Sequence, residues 1–553
     1  MKAMHVLSAA EMQACDRATS ERFGIPSLQL MRAAAAAVAA FAREQFPRAR
    51  RVTVICGRGN NGGDGMMTAR LLASAGLEVT TLLLGSPDGL KGDAAVAWRE
   101  LASPACGILH VVNAPDELAR YSGALATDLI VDAVLGTGFK PPLKGLALKA
   151  QQWIGGSASP VLAPILALDI PSGWAADETG ATATGPVFPA DAVITFTAPK
   201  PAHVFGQLTR LWNQPVVVVP IGSPDAAILS TLRLHWAGSA HALTEPQRPA
   251  AANKGNFGHV LVVGGSLGTA GGKSGAPAMA SLAALRAGAG LVTAAIPWPA
   301  APLVAAVATE LMTHPLLANA AGQIAADNLA PELLAALTAG KTVLAIGPGM
   351  GQSADTVKFT TGLLSATKMP AVIDADALNI LAAKPVLLAK LARGRTLVLT
   401  PHPGEMARLT GATIAEVQAN RLDTARDFAQ RNGVTLVLKG ARTLIAHPDG
   451  RVAVNTTGNP AMAKGGSGDL LTGVVAGLLA QYPDDPARAV EAAVYLHGLA
   501  ADLAVRQADQ HTLLATDSLA QFFRAFRFRS RGHSGYVWLQ GALHAAVPRE
   551  ADA

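Results

Sequence analysis

Between Cys56 and Thr68 the chain reads CGRGNNGGDGMMT. Gly57, Gly59 and Gly62 have the spacing of a dinucleotide-binding turn, with an apolar β-branched run before it and a helical run after it. Glycines at such a turn let the backbone approach a pyrophosphate at a helix N-terminus. Here Asn60, Asn61 and Asp64 crowd the same turn with two carboxamides and a carboxylate. Asp64 sets a negative charge where an oxidoreductase must hold its pyrophosphate. The acid expected to meet the adenosine ribose is misplaced too, because Glu78 opens the next strand instead of closing it. Both features disfavour an ordinary nicotinamide oxidoreductase.

Further oxygen donors follow apolar runs. Asp132 lies in VDAVLGTG and Ser172 in DIPSG. With Asn61 and backbone carbonyls they can hold a monovalent or divalent cation, or each can merely cap a helix or tie a loop. Asp169 follows the apolar PILAL and reads as a partly desolvated general base. Lys140, in GTGFKPP, is either its companion or a surface lysine.

The second half has its own chemistry in AKGGSGDLLTGVVAGLL. Gly465, Gly466 and Gly468 before an apolar helix can form an anion hole for a transferred phosphoryl group. Asp469, in the first turn, can take a proton from an attacking hydroxyl, or serve only as a capping acid. TPHPGE puts His402 and Glu405 at a strand end, and KGART puts Lys439 at another. Lys439 is a phosphate or nucleotide contact, and Glu405 can reach a magnesium ion through water. His402 can equally be a neutral loop histidine holding backbone groups. Asp374, Asp376 and Asn379 form another polar strand end. The glycine-rich GGSLGTAGGKSGAPAMA can approach a bulky ligand and present Ala276 to it.

Positioning these groups requires strands that alternate with helices, which implies parallel sheets covered on both faces. Such sheets bind ligands at the carboxyl ends of their strands, where NNGGD, Asp132 and Asp169 would converge. At 553 residues the chain exceeds one core, so two domains are expected. The Ala-, Pro- and Gly-rich stretch 223–252 reads as a linker between a domain spanning 1–222 and another spanning 253–526. Residues 527–553 read as a loose tail. The basic-aromatic QFFRAFRFRSRG reads as a solvated helix end, and a net charge of +6 demands no nucleic-acid partner. No apolar run reaches membrane-spanning length, and the N-terminus lacks a signal-peptide h-region. Three cysteines without metal-ligand spacing point to a reducing, cytoplasmic setting.

SAAEMQACDRAT, GIPSLQLM, VICGRGNNGGDG, VDAVLGTG and DIPSGWAADETG together closely resemble the YjeF N-terminal family, the NAD(P)H-hydrate epimerases. The resemblance implies a Rossmann-like domain that takes a damaged nicotinamide dinucleotide as substrate and interconverts its R and S hydrates. It implies a potassium ion at Asn61, Asp132 and Ser172. It places substrate against Asn60, Asn61, Gly62, Gly63 and Asp64, against Gly136, Thr137, Gly138, Phe139, Lys140, Pro141 and Pro142, and against Asp169, the catalytic residue. The chain departs from the family pattern at Arg58, where a proline is common, and at Arg32 and Ala33.

NKGNFGHVLVVGGS, AIGPGMG, DADALN, TPHPGE, LKG and GNPAMAKGGSGD resemble the ADP/ATP-dependent NAD(P)H-hydrate dehydratases, a branch of the ribokinase-like α/β fold. The resemblance implies that a nucleotide, with Mg2+, phosphorylates the hydrate's hydroxyl, which then leaves as phosphate. It places the hydrate at Ala276, Gly349, His402 and the catalytic Asp469. The nucleotide falls at Lys439, Gly440, Ala441, Arg442, Thr443 and Gly468. The expected protein is therefore bifunctional: the dehydratase consumes the S form and the epimerase supplies it from R. A homo-oligomer acting on small molecules, with neither membrane nor nucleic-acid partner, is expected. Competing readings are a ribokinase-like small-molecule kinase beside a non-catalytic dinucleotide-binding module, and the disfavoured oxidoreductase.

Overall fold

A computed structural model describes residues 3–102, 106–155, 163–269, 271–531 and 535–541. The chain divides into two compact units, one of Met4–Leu234 with Arg529–Ala553 and one centred on His235–Phe528. Among the described residues no helix is long and apolar enough to cross a membrane.

The first unit is built on β1 (Arg51–Cys56), β2 (Glu78–Leu84), β3 (Ile108–Val112), β4 (Leu129–Ala133), β5 (Ile165–Leu168), β6 (Ala192–Phe196) and β7 (Val216–Val219). Their spatial order is β7-β6-β5-β4-β1-β2-β3, and every neighbouring pair is parallel. Strands such as ILAL and VVVV are buried along their whole length, as a sheet covered on both faces requires. The order reverses direction between β1 and β4, which opens a crevice at their carboxyl ends.

Three helices shape that crevice: α1 (Ala9–Glu21), α2 (Ser27–Gln45) and α3 (Asn60–Ser74). α1 starts in a capping box, in which the Ser8 hydroxyl accepts from the Glu11 amide and the Glu11 carboxylate accepts from the Ser8 amide. α3 has no side-chain cap, so its first amides stay available to a ligand. The glycines leading into α3 serve chain packing. A β-carbon on Gly57 would lie 2.0 Å from the Val134 carbonyl oxygen, and one on Gly62 would lie 1.8 Å from that of Gly57. Gly62→Ala should therefore cost about 1–3 kcal/mol through forced backbone shifts. A lowered midpoint in thermal unfolding of the first unit is the check; an unchanged midpoint would mean that the turn has slack.

The tail expectation is corrected here. Val537–Gln540 is a strand that pairs antiparallel with β7. Tyr536 packs edge-on against Phe41 of α2 with ring centroids 5.4 Å apart, and Trp538 lies against the same ring. A strand this short leaves little periodicity to read. The remainder of the tail, 532–534 and 542–553, lies outside the described residues.

The second unit contains β8 (Leu234–Trp236), β9 (His259–Val263), β10 (Leu291–Pro297), β11 (Met312–Leu316), β12 (Val343–Ile346), β13 (Ala371–Ile373), β14 (Leu397–Leu399), β15 (Thr435–Leu438), β16 (Leu444–Ala446) and β17 (Val452–Val454). The order is β8-β17-β16-β15-β14-β13-β12-β9-β10-β11, parallel from β15 to β11 and antiparallel across β15-β16-β17. Helices α4 (Gly275–Arg286), α5 (Pro403–Thr410), α6 (Ser467–Gln481) and α7 (Pro486–Ala504) position its site. α6 is buried from its second turn onward. Its Gly473 and Gly477, one turn apart, lie against Ala280 and Ala284 of α4, and that absence of side chains lets the two helices approach closely.

The linker expectation is also corrected. β8 and the segment Ala237–Thr244 are part of the second core. Trp236 is fully buried, its indole N–H donating to the Thr456 hydroxyl at 2.8 Å and its ring edge-on to Tyr495. Glu491 of α7 meets the Nε2 atoms of His235 and His447 at 2.8 and 2.9 Å. Burial opposes its charge, but the two imidazoles outweigh it and hold the carboxyl down to about 2. An alanine-rich composition concealed this anchoring.

Candidate functional site

At the carboxyl ends of the first sheet lies a cavity of about 710 Å3. Asn60, Asn61 and Asp64 of α3 line it, as do Gly136, Thr137, Gly138 and Phe139 of the loop after β4, and Asp169 after β5. These sequence-expected residues are thus brought together. Gly62 and Gly63 are buried beneath the lining, while Lys140, Pro141 and Pro142 are exposed and lie outside it.

Asp169 is the most constrained residue in the cavity. Its φ of +61° falls in the left-handed region that non-glycine residues avoid. The Nε2 of His203 holds that conformation by bonding the Asp169 carbonyl at 2.7 Å, while its Nδ1 accepts from the Lys200 amide at 3.1 Å. Burial and the nearby Lys200 charge push His203 down to about 4, so it is a neutral positioning group. The Asp169 carboxylate accepts from the Thr137 amide at 2.7 Å, the Thr137 hydroxyl at 2.5 Å and the Thr195 hydroxyl at 2.9 Å. Lys200 Nζ donates to its Oδ1 at 2.8 Å.

Burial works against the charge of Asp169. The Lys200 charge, the Lys200 hydrogen bond and the Thr137 bonds overcome it and hold the carboxyl far below the usual range. Asp169 is thus desolvated, as expected, and rests as an ionised carboxylate because its partners more than offset burial. Of the two readings of Lys140, its exposure outside the lining agrees with the surface lysine. The lysine that does contact Asp169 is the buried Lys200. The signal was in the sequence, since Lys200 follows the apolar β6 as Asp169 follows β5.

Asp64 is buried among Asp169, Asp16 and Asp93, and burial foremost, then these like charges, raises its carboxyl well above the ordinary value. This shift favours its protonated form and so weakens the objection that it would repel a pyrophosphate. Asp16 of α1, which sequence reasoning quoted in AEMQACDRAT without assigning, also lines the cavity. Burial raises it to about 6, with Lys200 pulling down and Asp169 pushing up.

Asp132 and Ser172 are not in that lining, but the Ser172 hydroxyl accepts at 2.8 Å from the amide of Leu135, which is. The Ser172 hydroxyl donates to Asp132 Oδ1 at 2.6 Å, and the Ser172 amide donates to Oδ2 at 2.8 Å. Burial raises Asp132 to about 6 despite these bonds, and among the described residues it has no cationic side chain beside it. Both amide atoms of Asn61 are buried without a hydrogen-bond partner. A β-carbon on Gly136 would lie 3.0 Å from Asp169 Oδ2 and 3.2 Å from Asn61 Cγ, so this loop passes between the two side chains. An unpartnered amide oxygen, a buried carboxylate and a hydroxyl are hard donors of the kind an alkali cation takes. Among the described residues no His, Cys, Asp and Glu cluster has the make-up of a transition-metal site.

In the second unit, Asp469 sits in the first turn of α6, whose entry residue Gly466 has φ +95°. Burial first and the Asp374 charge second raise Asp469 to about 6, with Lys439 and Lys273 offsetting part. Asp374 bridges two elements: Oδ1 accepts from Lys439 Nζ at 2.9 Å and Oδ2 from the Thr472 hydroxyl of α6 at 2.8 Å. Lys439 also lies 3.7 Å from Glu405 and close to Gly468. Asp376 instead accepts from the Gly351 amide, and Asn379 from the Arg408 guanidinium of α5.

His402 caps α5, its Nδ1 accepting from the Gly404 amide at 3.0 Å, while Glu405 accepts from the His402 amide at 2.8 Å. Its Nε2 lies 3.5 Å from Glu405 Oε1, and about half of the side chain is exposed. Gly349, with φ +65°, lies beside Ala276 and Lys273, and a β-carbon there would meet the Lys273 carbonyl oxygen at 2.8 Å. In the segment carrying Gly440 and Ala441, the Thr443 hydroxyl donates to the Gly440 carbonyl at 2.9 Å. Arg442, in the left-handed region, turns inward and donates to the Thr456 carbonyl at 3.0 Å. It is a brace for this loop.

Fold and site thus define a two-unit α/β protein, with a dinucleotide-type crevice in one unit and a glycine-entered helix start beside Asp469 in the other. One family model, described as the YjeF-related protein N-terminus, matches residues 27–202, and another, described as NAD(P)H-hydrate dehydratase, matches residues 260–522. The bifunctional NAD(P)H-hydrate repair enzyme of Moorella thermoacetica is 41% identical over 526 residues, covering 93% of this chain and 95% of that protein. The enzyme of the same name from Escherichia coli is 37% identical, covering 92% and 91%. A crystal structure of the Bacillus subtilis ADP/ATP-dependent NAD(P)H-hydrate dehydratase, co-crystallized with ATP/Mg2+, is 34% identical and covers 53% of this chain and 96% of that one, with a TM-score of 0.44. The chain belongs to the family of bifunctional NAD(P)H-hydrate repair enzymes.

Proposed function

We infer that the protein returns hydrated NAD(P)H to NAD(P)H in two steps, epimerising R and S hydrates in the first unit and dehydrating the S form in the second. The observation that carries the first step is the Asp169–Lys200 pair, fixed in a left-handed turn at the cavity floor. Inverting a hydroxyl-bearing carbon beside a ring nitrogen can proceed by opening its carbon–nitrogen bond, the hydroxyl proton being taken and the nitrogen given one, and by reclosing that bond on the other face with the transfers reversed. The Asp169 carboxylate supplies an acceptor and the Lys200 ammonium a donor, 2.8 Å apart and shielded from water. The free amides at the start of α3 can face the pyrophosphate.

Asn61, Asp132 and Ser172 fit a potassium ion, which would neutralise the buried Asp132 and orient the loop that carries Thr137. Replacing potassium by choline should slow epimerisation and leave dehydration of pure S hydrate intact. Equal rates in the two salts would remove the cation from this site.

In the second unit, Asp469, raised to about 6, can accept the hydrate's hydroxyl proton near neutral pH. The nucleotide's terminal phosphoryl group passes to that oxygen as its phosphoanhydride bond breaks and AMP (from ADP) or ADP (from ATP) leaves, with the amides opening α6 and Lys439 facing the developing charge. The carbon–oxygen bond then breaks, phosphate leaves, a neighbouring carbon gives up its proton, and the double bond is restored. Lys439, Gly440, Ala441, Thr443 and Gly468 are the proposed nucleotide contacts, with Arg442 supporting their loop. Ala276, Gly349 and His402 are the proposed hydrate contacts. Mg2+ would accompany the nucleotide. All three cysteines are unpaired and buried, which suits a reducing cytoplasm.

The direct test of the first step supplies pure R hydrate without nucleotide and resolves the epimers by chromatography. Appearance of S hydrate supports the reading, and its absence at long incubation would overturn it.

A further inference from the structure

Arg58 occupies the variable position of the G-x-G turn, where the resemblance leads one to expect proline. Its side chain lies along the loop that follows β2. A β-carbon on Gly85 would meet Arg58 Cδ at 2.9 Å, and one on Gly89 would meet its NH1 at 2.9 Å. The two glycines therefore form a slot for the guanidinium. Arg58 and Leu84, the last residue of β2, both line the cavity that holds Asp169. Arg58 is exposed, and among the described residues it has neither an ion pair nor a hydrogen bond.

The sheet order fixes which end of a dinucleotide lies here. With strands ordered 3-2-1-4-5-6, the adenosine half lies over the ends of β1 and β2, and the nicotinamide half over the ends of β4 and β5. Asp169, after β5, is at the reacting end of that arrangement, and Arg58 is at the adenosine ribose. A site that selects the unphosphorylated ribose places an acid at the end of the second strand for the 2′-hydroxyl. Here β2 ends in Leu84 and continues into Gly85 and Ser86. The nearest loop acid, Asp88, accepts from the Ser86 hydroxyl at 3.1 Å and forms no ion pair with Arg58. The remaining charged lining groups are Asp16, Asp64, Asp93, Lys144 and Lys200, and Lys200 is already engaged by Asp169.

We propose that Arg58 makes the epimerase site select the dinucleotide hydrate carrying a 2′-phosphate on its adenosine ribose. The planar guanidinium can donate two hydrogen bonds to a phosphate dianion, which a proline at this position could not. The inference rests on the reading of the first unit as an epimerase.

Two measurements on the full-length protein separate its failure from failure of that reading. Rates of epimerisation of the R hydrates of NADPH and NADH give a ratio of kcat/KM. This ratio should favour the phosphorylated substrate by roughly tenfold in the unmodified protein, vanish in Arg58→Ala and return in part in Arg58→Lys. Calorimetric titration with adenosine 2′,5′-bisphosphate and with 5′-AMP requires no turnover. Arg58→Ala should weaken the bisphosphate alone, whereas any nucleotide bound in the second unit is common to both proteins. A ratio near one in the unmodified protein, or a ratio that Arg58→Ala does not move, would overturn the proposal. So would equal loss of both titrants. Absence of epimerisation with both hydrates would overturn the epimerase reading, and the titration would still decide the phosphate contact.

Discussion

Asp469→Asn should slow dehydration of S hydrate by about 10²- to 10⁴-fold, while the interconversion of R and S continues at its normal rate. The amide keeps the size and most of the packing of the side chain but cannot take the hydroxyl proton. Epimerisation is untouched because Asp169 and its cavity belong to the other unit. The intact residue should also leave a pH signature. Burial and Asp374 raise its carboxyl to about 6, so dehydration should fall as pH drops through that value and the base becomes protonated. In Asp469→Asn the residual rate should lose this acidic limb. A variant that retains both the rate and the limb would show that another group takes the proton.

Lys200→Met is the second large effect. The Lys200–Asp169 pair is almost wholly buried, with side-chain exposures of 2% and 13%, and removing one partner leaves an unpaired buried charge. Breaking such a pair typically costs about 3–5 kcal/mol, so a lowered denaturation midpoint is expected along with loss of epimerisation. The linkage has a definite sign. Asp169 is depressed in the folded state, so its contribution is complete above the ordinary carboxylate value near 3.8 and fades as pH falls toward its much lower folded value. Lys200→Met should flatten that acid dependence. Retained activity in a stable variant would remove Lys200 from the proton transfer. A folded variant that dehydrates S hydrate but leaves R untouched would place the lysine in the first site.

The elements carrying chemistry were legible in the sequence because each sits where an apolar strand meets a polar residue. Asp132, Asp169, His402 and Lys439 all follow this pattern. Glycine patterns marked the entries to α3 and α6. Three things were not legible. How readily a carboxylate holds its charge depends on groups distant in sequence: burial and then the Asp169, Asp16 and Asp93 charges push Asp64 up, while Lys200 and Thr137 hold Asp169 down against burial. Lys200 obeyed the same strand-end rule as Asp169, but a lysine between two prolines resembled surface loop. Short segments in alanine-rich or mixed sequence also escaped notice. β8 and Val537–Gln540 are held by Trp236 and Trp538, whose contacts lie far away along the chain.

The most direct test of the whole account incubates the full-length protein with an equilibrium mixture of R and S hydrates, magnesium, potassium and either ADP or ATP. Return of the reduced-nicotinamide absorbance is followed to completion. The expected result is conversion of both epimers, with a fast phase for the S form and a slower one fed by epimerisation of R. Recovery that stops at the S fraction would contradict the epimerase half, and no recovery with either nucleotide would contradict the dehydratase half.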